Sequence, residues 1–213
     1  MKELYLPPEL SREVTAIYEA MASRYTEVAS KIPLTCQGCP DNCCDSYFLH
    51  YTYSEWAYLW EGLRQLADHL FKEVIERSRQ YVTAARASLM RGERPRIMCP
   101  LNKKGLCGLY QHRMMICRMH GVPALLTRPD QRTIAFPGCF RCQKIVKGRY
   151  ADPADAPAMD RTLLYQRLAH VESRLLGRHH QQLPRIKLTI AEMIINGPPQ
   201  IASTPHQEAV RYP

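Results

Sequence analysis

Thr52-Tyr53-Ser54-Glu55-Trp56-Ala57-Tyr58-Leu59-Trp60-Glu61-Gly62-Leu63 opens the stretch on which the fold turns. Thr52 with Glu55 three residues later is the capping-box pattern of a helix start. From there Trp56, Leu59, Trp60, Leu63, Leu66, Leu70, Phe71, Val74, Ile75, Tyr81 and Val82 recur at three- and four-residue spacing, to about Leu89. One helix of about 38 residues would be about 57 Å long. A globule of this length has a radius of gyration of about 17 Å, so an unbroken rod would protrude. A kink or reversal is therefore expected, at Gly62 or near Arg77 and Ser78.

Working outward, residues 8 to 30 carry Val14, Ile17, Tyr18, Met21, Tyr25 and Val28 at helical spacing, and Pro33 ends the pattern. A third helix is expected over 157 to 177, on Leu163, Leu164, Leu168, Val171, Leu175 and Leu176. A fourth, over 189 to 195, stops at Asn196-Gly197-Pro198. Between 92 and 157 the pattern changes. Glycine and proline are frequent and periodicity is poor, apart from Leu109 to Cys117 as a short helix and Arg132 to Phe136 as a short strand. These signals predict a mainly α chain: one helix-rich domain over 1–196, with an irregular cysteine-rich metal-binding segment packed on the helices. Residues 197–213 read as a mobile C-terminal tail.

Hydrophobic residues are 46% and charged residues 23% of the 213, which excludes wholesale disorder. No run approaches the length of a membrane span, and the N-terminus lacks an apolar run of signal-peptide length, so a cytoplasmic address without membrane contact is expected. There the nine cysteines point to metal binding or redox chemistry rather than disulfides.

The net charge of +9 is unevenly placed. Arg94 to Arg149 holds twelve Lys or Arg against one acid, Asp130, so this window carries +11 and the rest of the chain −2. Such a window can serve nucleic acid, but it lacks dense basic runs and interleaved aromatics, which disfavours that partner. It also holds Cys99, Cys107, Cys117, Cys139 and Cys142, and cations near thiols favour thiolates. A protein partner stays open.

The first cysteine cluster is Cys36-Gln37-Gly38-Cys39-Pro40-Asp41-Asn42-Cys43-Cys44. Cys-x-x-Cys lets two sulfurs face one ion, and Gly38 and Pro40 suit the turn between them. In the second, Cys99 and Cys107 flank a turn at Asn102 to Gly105, and Cys117-Arg118 follows. If Leu109 to Cys117 is helical, Cys107 sits at its N-terminus and Arg113 and Arg118 are placed to pair with sulfur or an acid.

Together these motifs resemble the YkgJ-type cysteine-cluster family, described as zinc- or iron-chelating, to whose wider group flagellin lysine methylases belong. The matched positions are Cys36, Cys39, Cys43, Cys44, Cys99, Cys107, Tyr110, Arg113, Cys117 and Arg118. Three residues rather than the family's two separate Cys39 from Cys43. Met114 stands for a proline, and Met119-His120-Gly121 replaces an aromatic–proline pair. The resemblance spans about residues 36 to 142 and implies chelation, not a particular reaction. It also favours Cys139 of the Pro137-Gly138-Cys139-Phe140-Arg141-Cys142 segment as a ligand and leaves Cys142 as ligand or spare thiol.

The expected metal ligands are thus Cys36, Cys39, Cys43, Cys44, Cys99, Cys107, Cys117 and Cys139, with Arg113 and Arg118 behind them. His120 is a further candidate, while His50, His112, His179 and His180 read as surface or capping residues. An all-cysteine set with an adjacent pair in a basic surround favours an iron–sulfur cluster, with zinc as the alternative. Two other classes stay open: a redox or methyl-transfer enzyme using the centre, and a zinc-stapled adaptor with a basic face. No glycine-rich nucleotide loop or readable carboxylate pair supports the enzyme.

Overall fold

The computed structural model describes residues 2–37 and 43–201. In chain order the helices are α1 (Pro8–Lys31), α2 (Tyr53–Leu63), α3 (Asp68–Met90), α4 (Met115–Met119), α5 (Phe140–Arg149), α6 (Thr162–Leu176) and α7 (Ile190–Ile195). The chain is mainly α. Among the described residues no helix is long and apolar enough to cross a membrane.

The long periodic run does reverse, directly after Gly62. Gln65 and Leu66 donate their N–H groups to the carbonyls of Gly62 and Leu63, a tightened last turn that ends α2 before α3 begins at Asp68. Gly62 is needed there because a Cβ would strike the His112 ring. The second expected break is not used: Ser78 lies within α3 and donates its hydroxyl to the Val74 carbonyl at 2.7 Å.

Thr52 caps α2, accepting the Glu55 N–H. The first N–H groups of α2 find a second acceptor far away in sequence. The buried Glu172 carboxylate of α6 accepts from Tyr53 at 2.8 Å and Ser54 at 2.7 Å, where the positive helix end favours an anion. A reciprocal capping box of Thr189 and Glu192 opens α7.

Short strands complete the chain: β1 (Lys2–Glu3), β2 (Asn102–Lys103), β3 (Leu106–Cys107), β4 (Ala124–Thr127), β5 (Thr133–Phe136), β6 (Met159–Asp160) and β7 (Gln200–Ile201). β4 is central in a three-stranded sheet, antiparallel to β5 and parallel to β6. β1 pairs with β7, which ties the first residues of the expected tail to the N-terminus as far as Ile201; the rest of that tail, 202–213, lies outside the described residues.

One apolar cluster joins α1, β4, α5 and α6 through Val14, Ile17, Met21, Ala124, Val146, Leu168 and Val171. Another joins α2 and α7 to Leu101, Leu109 and Met114. The cysteine segment therefore contributes core of its own. It is also less irregular than its sequence suggests, because α5 crosses it. The expected helix over Leu109 to Cys117 is instead a 3-10 turn at Tyr110–His112, an extended Arg113-Met114, and then α4.

Candidate metal centre

Asn102 and Gly105 build the first piece of the site. The Asn102 side-chain oxygen accepts the Gly105 N–H at 3.1 Å, and Lys104 and Gly105 both have positive φ, as a two-residue hairpin loop requires. The resulting β2–β3 hairpin sets Asn102 opposite Cys107. Cys107 thus lies on a strand rather than at a helix start.

The Cys99 N–H donates to the Cys44 carbonyl at 2.8 Å, sewing the first cysteine cluster to the second. Cys117 arrives on α4, whose first N–H, at Met115, donates to the Glu55 carboxylate at 2.7 Å. Three distant stretches thus bring Cys43, Cys44, Cys99, Cys107 and Cys117 to the lining of one cavity of about 50 Å³.

Burial raises the thiols of Cys107 and Cys117, and lifts Cys99 to about 12. A hydrogen bond between the neighbouring Cys43 and Cys44 thiols raises Cys43 and, with Asn102 and Arg113 helping against burial, lowers Cys44. Among Cys44, Cys99, Cys107 and Cys117 every pair is coupled by charge. Burial opposes the Arg113 cation, but Cys117, Cys43 and Cys107 more than offset it and the guanidinium is held more firmly protonated.

Of the two expected arginines, Arg113 lines the cavity and Arg118 braces the backbone before α4. Arg113 donates to the Cys117 carbonyl. Arg118 donates to the carbonyls of Arg113 at 2.5 Å, Tyr110 at 3.1 Å and Gln111 at 2.6 Å, with its guanidinium 4.5 Å from the Tyr18 ring centroid. They fix the backbone that carries Cys117.

Other expected ligands stand elsewhere. Cys36 is exposed, 3.9 Å from the Tyr25 hydroxyl, and Cys139 caps α5; neither lines the cavity. Cys39 lies outside the described residues. Cys142 is wholly buried in the core, its thiol pushed up to about 11 by burial. His120 packs edge-on to Phe48, 5.0 Å between ring centroids, outside the cavity lining.

Two histidines read as surface or capping residues instead line the cavity. His112 packs against Tyr58, with ring centroids 4.6 Å apart. His50 is buried by its backbone pairing with Leu188, its Nε2 has no hydrogen-bond partner, and burial lowers its pKa to about 3. Its pairing partner lies 138 positions further along the chain, so no local signal announces it.

Among the described residues, no three His, Cys, Asp or Glu side chains are gathered as they stand into a metal-holding group. The donor chemistry nonetheless fits one. Buried thiols kept protonated in the absence of a cation are those whose desolvation cost a bound cation relieves, and thiolates suit zinc and iron–sulfur clusters alike. No protein-family model, curated protein or solved structure matches the chain.

Proposed function

We propose that the chain is a metal-binding protein of the YkgJ-type cysteine-cluster family, holding an iron–sulfur cluster on Cys44, Cys99, Cys107 and Cys117. The observation that supports this most is the convergence of these four thiols from separate stretches on the lining of one cavity. Cys43 lines the same cavity and holds Cys44 by a hydrogen bond. Arg113 supplies positive charge beside the sulfurs, which favours an anionic centre. When bound, such a cluster supplies one-electron chemistry. A reducing compartment such as the cytosol would keep the thiols available.

Anaerobic purification with iron, sulfide and zinc analysis tests the reading. Brown protein containing iron and acid-labile sulfide, bleached by dithionite, is expected. Colourless protein with stoichiometric zinc would replace the cluster by zinc and leave the ligand set standing, because zinc is a filled-shell ion without redox chemistry. Cys→Ser at any of the four positions should lower bound metal. Unchanged metal in both the Cys107 and Cys117 variants would refute the site.

A further inference from the structure

Cys139 and Cys142 stand apart from the four-thiol cavity and are built into one turn. Cys139 is the N-cap of α5, and its sulfur accepts the Cys142 backbone N–H at 3.5 Å, so it leans back over the first turn. On a helix, residues three apart have Cα atoms about 5 Å apart by its rise and radius. A disulfide requires roughly 4.4–6.8 Å. The Cys142 sulfur lies beside the same turn: a Cβ on Gly138, the residue before Cys139, would lie 3.0 Å from it and 2.5 Å from the Gly121 carbonyl, and Cys139 is close enough to act on its thiol. Gly138, with φ +81°, lets the chain pass this close. Cys139 is half-buried while Cys142 is fully buried, so an incoming reagent meets Cys139 first.

We propose that Cys139 and Cys142 form a redox-active dithiol, oxidised to an intramolecular disulfide by low-molecular-weight disulfides. Cys139 gives up its thiol proton and its sulfur attacks one sulfur of the reagent. The reagent S–S bond breaks, and one thiol leaves with that proton. Cys142 then loses its proton and attacks the Cys139 sulfur. The mixed disulfide breaks, and the second thiol leaves with the second proton. The pair loses two electrons and the reagent becomes two thiols. Cys-x-x-Cys across one helical turn favours this because the resolving sulfur is already held beside the attacking one. The proposal does not depend on the metal centre, since neither cysteine lines the cavity.

The test treats the full chain, as purified with its metal, with oxidised glutathione, quenches with acid and an alkylating agent, and maps disulfides without reduction. A Cys139–Cys142 cross-link is expected as the main product, with metal content unchanged. Cys142→Ala should instead accumulate a glutathione adduct on Cys139, at least ten-fold above wild type, because nothing resolves it. A wild-type adduct as persistent as that of the variant, a main cross-link from Cys139 to Cys36, or an unreactive Cys139 would each overturn the proposal. So would metal release in step with oxidation, which would place Cys139 in the metal centre. If Cys142→Ala fails to fold, the wild-type map decides alone.

Discussion

Replacing Glu55 with alanine should disable the candidate centre from a distance. Glu55 is 3% exposed, and its Oε1 accepts from the Tyr18 hydroxyl at 3.0 Å and the Met115 N–H at 2.7 Å, while Oε2 accepts from the Thr52 hydroxyl at 2.9 Å. Met115 opens the five-residue α4, which carries Cys117. Truncation strands two buried donors, each costing about 1–3 kcal/mol, so Glu55→Ala should destabilise by about 4 kcal/mol. Folded domains have only about 5–15 kcal/mol in total. Bound metal should fall with it, since α4 loses its N-terminal acceptor.

Glu55→Gln separates charge from shape. A carboxamide oxygen in the Oε1 position keeps both stranded donors satisfied, and its NH2 can donate to the Thr52 hydroxyl. Its cost should be below about 1 kcal/mol. Burial raises the Glu55 pKa in the folded protein, against opposing hydrogen bonds from Met115, Thr52 and Tyr18 and the Arg118 charge. A raised carboxyl means the folded state holds the proton longer than the unfolded state. This contribution to stability is therefore fully present below the unfolded value of about 4.3 and is lost as pH rises through the folded value. Urea denaturation at several pH values should show Glu55→Gln gaining on wild type as pH rises across that window. A loss below 1 kcal/mol for Glu55→Ala, or equal losses for Ala and Gln, would refute the reasoning.

Glu172→Ala removes the acceptor of two N–H groups at the start of α2 and should cost about 3 kcal/mol by denaturant unfolding, with Glu172→Gln losing about half as much. Gly121→Ala should cost about 2 kcal/mol, because φ there is +137° and a Cβ would meet the Tyr25 hydroxyl; the loss should shrink in a Tyr25→Phe background, measured as a double-mutant cycle. Removing metal with a chelator should expose the amides of 43–44 and 99–117 to hydrogen exchange together, since the Cys99 N–H bonds the Cys44 carbonyl. Protection lost in only one of the two stretches would mean that they do not share a centre.

What the sequence made legible is what short-range chemistry determines. The reversal after Gly62 followed from a length that no globule of this size could hold straight, and the Asn102–Gly105 turn from residues that favour such turns. α5 was not legible because its buried face is only Cys142 and Val146 in a run of lysine and arginine, too narrow a stripe to register as a period. Glu55 was legible as the capping-box partner of Thr52, but nothing in the sequence marks it, or Glu172, as the acceptor for a distant element. Each is buried with donors that a distant element supplies, Tyr18 and Met115 for one and the start of α2 for the other.

The same contrast separates the cysteines. Motif spacing groups Cys36, Cys43 and Cys44 as one cluster, yet in the fold Cys44 joins Cys99 while Cys36 stands beside Tyr25. Neither partner is encoded in the local spacing. The basic window resolves in a related way. Arg113 and Arg118 donate to four backbone carbonyls, and Arg113 also faces the thiols. Part of the charge that suggested a nucleic-acid face is therefore committed to holding α4 and its cysteine in place. That commitment makes Arg118 a better reporter of site assembly than of partner binding. Loss of its three carbonyl contacts would free the turn before α4 without touching a sulfur.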